Sequence, residues 1–211
     1  MAYDLEEQDQ LDALKAWWKV NSSRVTTGIT ILCVALIGFQ GWQYYLNKQS
    51  SQASTEYELL QSYDLKDPKN TKTILALSGE MMDKLSSTPY AGRAALIAAR
   101  TNYEAKDNKS AKAQLDWASK NAKEDAVKTI ALLQLASIQT EEKDYDAALK
   151  TLSSQHDEAF EGLFLDLKGD VLLAQGKKPE AKQAYMDALT KLDAHGPYHR
   201  YTEHKLEATG S

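Results

Sequence analysis

Cysteine occurs once in the 211 residues, at Cys33. A single thiol excludes an internal disulfide framework and a cysteine-based metal site, and this one lies in an uncharged apolar stretch. Proline and glycine are scarce, at 4 and 10 residues, so the chain has few built-in breaks and few positions suited to left-handed backbone. β-branched residues are too few to suggest a sheet, while Ala, Leu, Lys, Glu and Asp dominate, which favours helices joined by short turns. No long basic run or basic-aromatic platform is present and the net charge is −5, so no nucleic-acid partner is expected. The motifs GxGxxG, GxxxxGKS/T, HExxH and GxSxG are all missing. His195 and His199 are four residues apart, but Gly196-Pro197 between them keeps them off a shared helix face. No catalytic residue, metal ligand or cofactor is therefore assigned, and the chain reads as a non-enzyme.

Charge is absent from one long stretch. Between Arg24 and Lys48 no residue is charged, and residues 25–46 read VTTGITILCVALIGFQGWQYYL. As a helix these residues span about 33 Å, enough to cross a bilayer core. Trp17 and Trp18 precede the stretch, while Trp42, Tyr44 and Tyr45 close it, as aromatic side chains do at the two membrane interfaces. The long acidic lead, an apolar run longer than a signal peptide needs and the lack of a convincing small-x-small cleavage site after Leu46 argue for an uncleaved anchor over a removable signal. Lys15, Lys19 and Arg24 against Lys48 place residues 1–24 in the cytoplasm and the remainder across the membrane. Within the span Gly28, Ala35 and Gly38 form a small-residue face suited to a neighbouring helix. Before it, Leu11, Leu14 and Trp18 share a helical face opposite carboxylates, predicting an amphipathic segment against the headgroups of membrane lipid.

Beyond the anchor, residues 47–53 are polar and predict a tether. From residue 54 to 208 the pattern is helix after helix. The clearest unit is LFLDLKGDVLLAQGKKPEAKQAYMDAL at 163–189, in which Gly169 permits a close helix approach and Gly176 ends the first helix in a turn. Ala181 is expected to face the first helix, followed by Tyr185 and Ala188 at helical spacing. Ala136, Ala148 and Leu152 repeat this grammar upstream, as do Ala99, Ala111, Leu115 and Ala118. Ala111, Ala148 and Ala181 are spaced close to the ~34 residues of a tetratricopeptide unit. The expected fold is all-α: a single N-terminal transmembrane helix followed by a tetratricopeptide-like α-α solenoid. Its parts are a divergent hairpin at 54–87, repeats at 92–121, 129–154 and 162–191, and a capping helix at 198–208.

In such solenoids the first helix of each pair lines a concave surface where ligands lie. Here that register selects Arg93, Leu96, Arg100 and Tyr103, then Ile130, Leu133, Gln134 and Ser137, then Asp166 and Asp170. A clamp for a peptide carboxylate needs several Lys and Asn donors at these positions. Leucines and two aspartates stand there instead, which suits a helix or extended segment of a partner protein.

The stretches LDALKAWWKVN, TPYAGRAALIAARTNYEA, AQLDWASKNAK and LKGDVLLAQGKKPEAKQAYMDAL, together with the acidic start and single anchor, resemble the YfgM family of bacterial inner-membrane proteins. The resemblance covers about residues 3–206; the ending EATGS departs from it. It implies an ancillary role at the SecYEG translocon beside the periplasmic chaperone PpiD, acting on nascent secreted or outer-membrane proteins. It also implies an inner-membrane location with the repeats in the periplasm. The rival reading is a membrane-tethered regulator that binds a cytoplasmic response regulator through residues 1–24.

Overall fold

The computed structural model describes residues 2–210, with side chains from residue 7 onward. Met1, the first residue of the expected cytoplasmic segment, lies outside the described residues. Among the described residues there is no strand. The chain divides into two units, Met1–Gln49 and Ser50–Ser211.

The first unit is carried by helix α1, Ala2–Ser62, which is long and apolar enough to cross a membrane. It runs without a break from the acidic start into the span, so the segment expected to lie apart on the headgroups is continuous with the anchor. No proline interrupts it, and the hydroxyls of Thr26, Thr27 and Thr30 bond carbonyls one turn back at 2.7–2.8 Å. The tether expected at 47–53 is also helical. NKQSSQA contains no helix breaker, and Ala53 begins the apolar stripe that continues through Tyr57 and Leu60.

The second unit is a row of antiparallel hairpins. Helices α2 (Thr71–Lys84), α3 (Pro89–Glu104), α4 (Asn108–Asn121), α5 (Asp125–Glu141), α6 (Tyr145–Leu152), α7 (Glu161–Ala174), α8 (Lys178–Lys191) and α9 (Pro197–Ala208) follow in order. From α2 onward each packs on its chain neighbour, and α5 also touches both α3 and α7. The core is correspondingly segmented. Leu60, Ile74, Met81 and Ala94 form one cluster. Ala99, Ala111, Leu115 and Ile138 form the next, then Leu132, Ala148, Leu152 and Phe164, and last Ala181, Ala184 and Tyr185. A unit that buries its face only against adjacent units is the physical basis of a solenoid.

The hairpin turns share one geometry. Lys106, Lys143 and Gly176 take left-handed φ of 65°, 63° and 79°. After each, the next amide donates back to the helix at 2.9 Å: Asp107 to Asn102, Asp144 to Gln139 and Lys177 to Leu172. These are Schellman stops. In the first two turns the following aspartate caps the next helix, Asp107 accepting from Ser110 N–H and Asp144 from Ala147 N–H. The third turn has glycine at the strained position but Lys177, without a side-chain cap, at the next.

Helix pairing follows a second rule. Asn102 bonds Gln114 and Gln139 bonds Thr151, both at 2.8 Å across their hairpins; the equivalent positions in the third hairpin are the buried Leu172 and Ala184. A side chain at Gly169 would meet the ring of Tyr185, and Ala181, one turn earlier on α8, is fully buried in the same cluster.

A candidate partner-binding groove between α3 and α5

The groove is built from the first helices of two successive hairpins. Residues spaced by three or four along α3 and α5 share a face, which turns Arg100 and Tyr103 toward Gln134, Ser137 and Glu141. Together they rim a hollow of about 210 Å³ whose floor is Ala99, Leu115 and Ile138. Tyr103 Oη donates to Glu141 Oε2 at 2.7 Å, bridging the two helices. That carboxylate, with some burial, holds the Tyr103 phenol above its ordinary pKa. Arg100 Nε donates to Glu104 Oε1 at 3.0 Å, one turn along its own helix, and stays more than half exposed, so its guanidinium remains reachable. An apolar floor under a rim of amide, hydroxyl, carboxylate and guanidinium has the make-up of a pocket for one apolar side chain flanked by polar groups.

Four of the ten residues projected from the sequence thus meet: Arg100, Tyr103, Gln134 and Ser137. The others are placed differently. Leu96 and Leu133 are half-buried and pack on the core clusters, and Ile130 on α5 is half-buried. Arg93 lies apart from the hollow and grips Glu124 with two bonds, Nε to Oε2 at 2.7 Å and Nη2 to Oε1 at 2.6 Å. This fork clasps α3 to the start of α5, with the guanidinium 5.8 Å from the centre of the Tyr90 ring. Its hydrogen bonds hold the Glu124 carboxyl below its ordinary pKa.

Asp166 and Asp170, projected as groove carboxylates, are occupied by the capping helix. Lys205 Nζ sits 2.7 Å from Asp166 Oδ2 and 2.7 Å from Asp170 Oδ2. Thr202 Oγ1 donates to Asp166 Oδ1 at 2.8 Å, and Tyr185 Oη donates to Asp170 Oδ1 at 2.8 Å. Burial opposes the Lys205 charge, but the two carboxylates outweigh it and hold its pKa above the usual lysine value. Burial and the Asp170 carboxylate both push the Tyr185 phenol far up. The capping-helix residues that engage these aspartates, Thr202 and Lys205, lie 35 to 39 positions downstream, beyond the reach of any local period.

Glu141, Glu104, Thr202 and Lys205 were not anticipated. Glu141 was within reach, since it stands one turn after Ser137 and two after Gln134. In the first unit, Gly28, Ala35 and Gly38 are exposed, and the two glycines face open space.

Hairpins of this length, their shared turn and an axial row of small clusters define a tetratricopeptide-type repeat protein. A family described as tetratricopeptide repeat-like domain matches residues 15–211. The chain belongs to this family, in the branch that contains proteins named ancillary SecYEG translocon subunit. One such protein, from Neisseria gonorrhoeae, is 32% identical over 91% of this chain and 91% of its own length. Another, from Aggregatibacter actinomycetemcomitans, is 32% identical over 89% of this chain and 91% of its own. The Escherichia coli protein of that name is 27% identical over 85% of each. These names agree with the YfgM-type resemblance drawn from the sequence.

Proposed function

We propose that the chain is a non-enzymatic scaffold attached to the Sec export channel, an ancillary subunit like the relatives whose name it matches over most of their length. The anchor confines the repeats to the membrane surface, which raises their effective concentration toward anything docked at the channel. The orientation puts the N-terminus in the cytoplasm and the repeats in the periplasm, on the lysine and arginine bias around the span. In that setting the partners are the translocon itself, the chaperone PpiD, emerging secreted or outer-membrane polypeptides, and membrane lipid around the anchor. The Gly28, Ala35 and Gly38 face offers a close-packing surface to a channel helix.

The observation that carries the binding role is the hollow between α3 and α5, with its apolar floor and its reachable Arg100. It takes a side chain from a helix or extended segment of a partner. Replacing Arg100 and Tyr103 together by alanine is expected to weaken capture of translocon or chaperone by about 1–3 kcal/mol, as loss of anchor residues does. Co-purification from detergent-solubilised membranes measures this, with circular dichroism to confirm unchanged helicity. Full retention of both partners rejects the groove. Loss caused only by deleting residues 1–24 favours a cytoplasmic regulator instead. Orientation is tested in a Cys33→Ala background, where a cysteine at the exposed Ser51 should react with an impermeant maleimide from the periplasmic side and one at Glu7 should not.

A further inference from the structure

The uncharged span carries a pattern that neither the repeats nor the small-residue face uses. Thr26, Thr30, Cys33, Ile37, Gln40 and Tyr44 are spaced 4, 3, 4, 3 and 4 along continuous helix α1. Alternating steps of four and three residues keep a line of side chains on one face of a helix that packs along a neighbour. Thr26, Thr30, Gln40 and Tyr44 lie on this line, while Thr27, Gln43 and Tyr45 lie off it. The positions beside it are Ile29, Ile31, Leu32, Val34 and Leu36, all exposed and suited to lipid tails. Residues two apart on a helix point to nearly opposite sides, so Cys33 and Ala35 lie across the helix from each other. The polar seam is therefore distinct from the Gly28, Ala35 and Gly38 face.

Gln40 makes the seam demand a partner. The hydroxyls of Thr26 and Thr30 already close onto their own helix. The Gln40 amide is exposed and has no hydrogen-bond partner among the described residues. Helical side chains lean toward the N-terminus of their helix. The amide is thus directed into the hydrocarbon, away from the interface marked by Trp42, Tyr44 and Tyr45. Gln43 lies within that aromatic belt, where headgroups and water reach it.

We propose that two copies of this chain pair in parallel along this seam, Gln40 against Gln40. The inference rests on the reading of α1 as a membrane span, and it is independent of the groove. The second copy is the occupant that the chemistry selects. Every copy inserts with the same orientation, which brings its own Gln40 to the same depth. A primary amide carries both donors and an acceptor, so two such groups satisfy each other. The seam holds no charge that would repel its duplicate. Parallel pairing also sets the native Cys33 of one copy beside Cys33 of the other, two turns from the amides.

Air oxidation catalysed by copper phenanthroline, applied to full-length protein in native membranes, tests this directly. The chain has one cysteine, so any disulfide-linked dimer reports on position 33. A Cys33-linked homodimer is the expected product. Gln40→Leu should lower its yield roughly three- to tenfold, the scale of one interhelical hydrogen bond in a membrane. Gln43→Leu should leave the yield unchanged. With the thiol moved to the opposite face by Cys33→Ala and Ala35→Cys, no dimer should form. No Cys33 dimer, equal crosslinking from positions 33 and 35, or a disulfide to a different protein in place of the homodimer would each overturn the proposal. None of these results touches the Arg100 and Tyr103 test, so the two readings fail separately.

Discussion

A Cβ on Gly169 would lie 2.4 Å from Cε1 of Tyr185. The ring fills the space that a side chain at 169 would need, and Tyr185 is fully buried with its hydroxyl fixed on Asp170. The equivalent pairs upstream are Ala99 with Leu115 and Ala136 with Leu152, each within one core cluster. A larger residue on the second helix thus accompanies a smaller one on the first. Gly169→Ala is expected to destabilise the fold by about 1–3 kcal/mol through overpacking. Adding Tyr185→Leu should recover part of that loss, because it recreates the upstream pairing. Thermal melting of the solubilised single and double variants gives the coupling, and strict additivity would contradict the compensation.

The left-handed lysines offer a gain. A non-glycine residue in this conformation costs about 1–2 kcal/mol, and glycine gives back about 0.5–1 kcal/mol through its looser unfolded chain. Lys106→Gly and Lys143→Gly should therefore each stabilise the protein by about 0.5–1 kcal/mol. In the third turn Lys177→Asp should restore the missing cap and add about 1 kcal/mol. Denaturant midpoints at constant slope check all three, and a fall in the midpoint for the glycine variants would contradict the turn assignment.

The clasp between α3 and α5 depends on pH. The folded pKa of Glu124 lies below its unfolded value because Arg93 binds the carboxylate. Its contribution is therefore complete above the unfolded value of about 4.3 and is lost as pH falls through the lower folded value. Glu124→Gln should lower the melting temperature at neutral pH, and the gap to the unmodified protein should close as the solution is acidified below that range. A gap that stays constant into acid would mean that the carboxylate charge contributes nothing.

The capping helix is held by one ammonium shared between two carboxylates. Removing it by Lys205→Met leaves Asp166 and Asp170 facing each other without a cation, although Thr202 and Tyr185 still donate to them. Lys205 is about a third exposed, so water relieves part of the penalty, and a loss of about 1–2 kcal/mol is expected. Amide hydrogen exchange should accelerate across 197–208 first, with α3 and α4 protected as before, since solenoid units couple chiefly to neighbours. Uniform acceleration along the chain would contradict that segmentation.

What was legible in the sequence was local. An uncharged run, a period near 3.6 and alanines about 34 residues apart identify the span, the helices and the repeat register, because each is fixed by neighbours a few residues away. Ala111, Ala148 and Ala181 are all fully buried, since a second helix can approach closely only over a small side chain. Half of the groove was legible for the same reason: Arg100 and Tyr103 share one helical face, as do Gln134 and Ser137. The tertiary structure decided the rest. Arg93 is withdrawn from the groove by a partner 31 positions away, and Asp166 and Asp170 by a lysine 39 and 35 positions away. Charge pairing over such distances depends on how the hairpins stack, which no local period encodes. The repeat register already aligned Lys106 and Lys143 with the turn residue Gly176, but their left-handed backbone was not legible, because lysine gives no signal for it and the packing of the flanking helices imposes it.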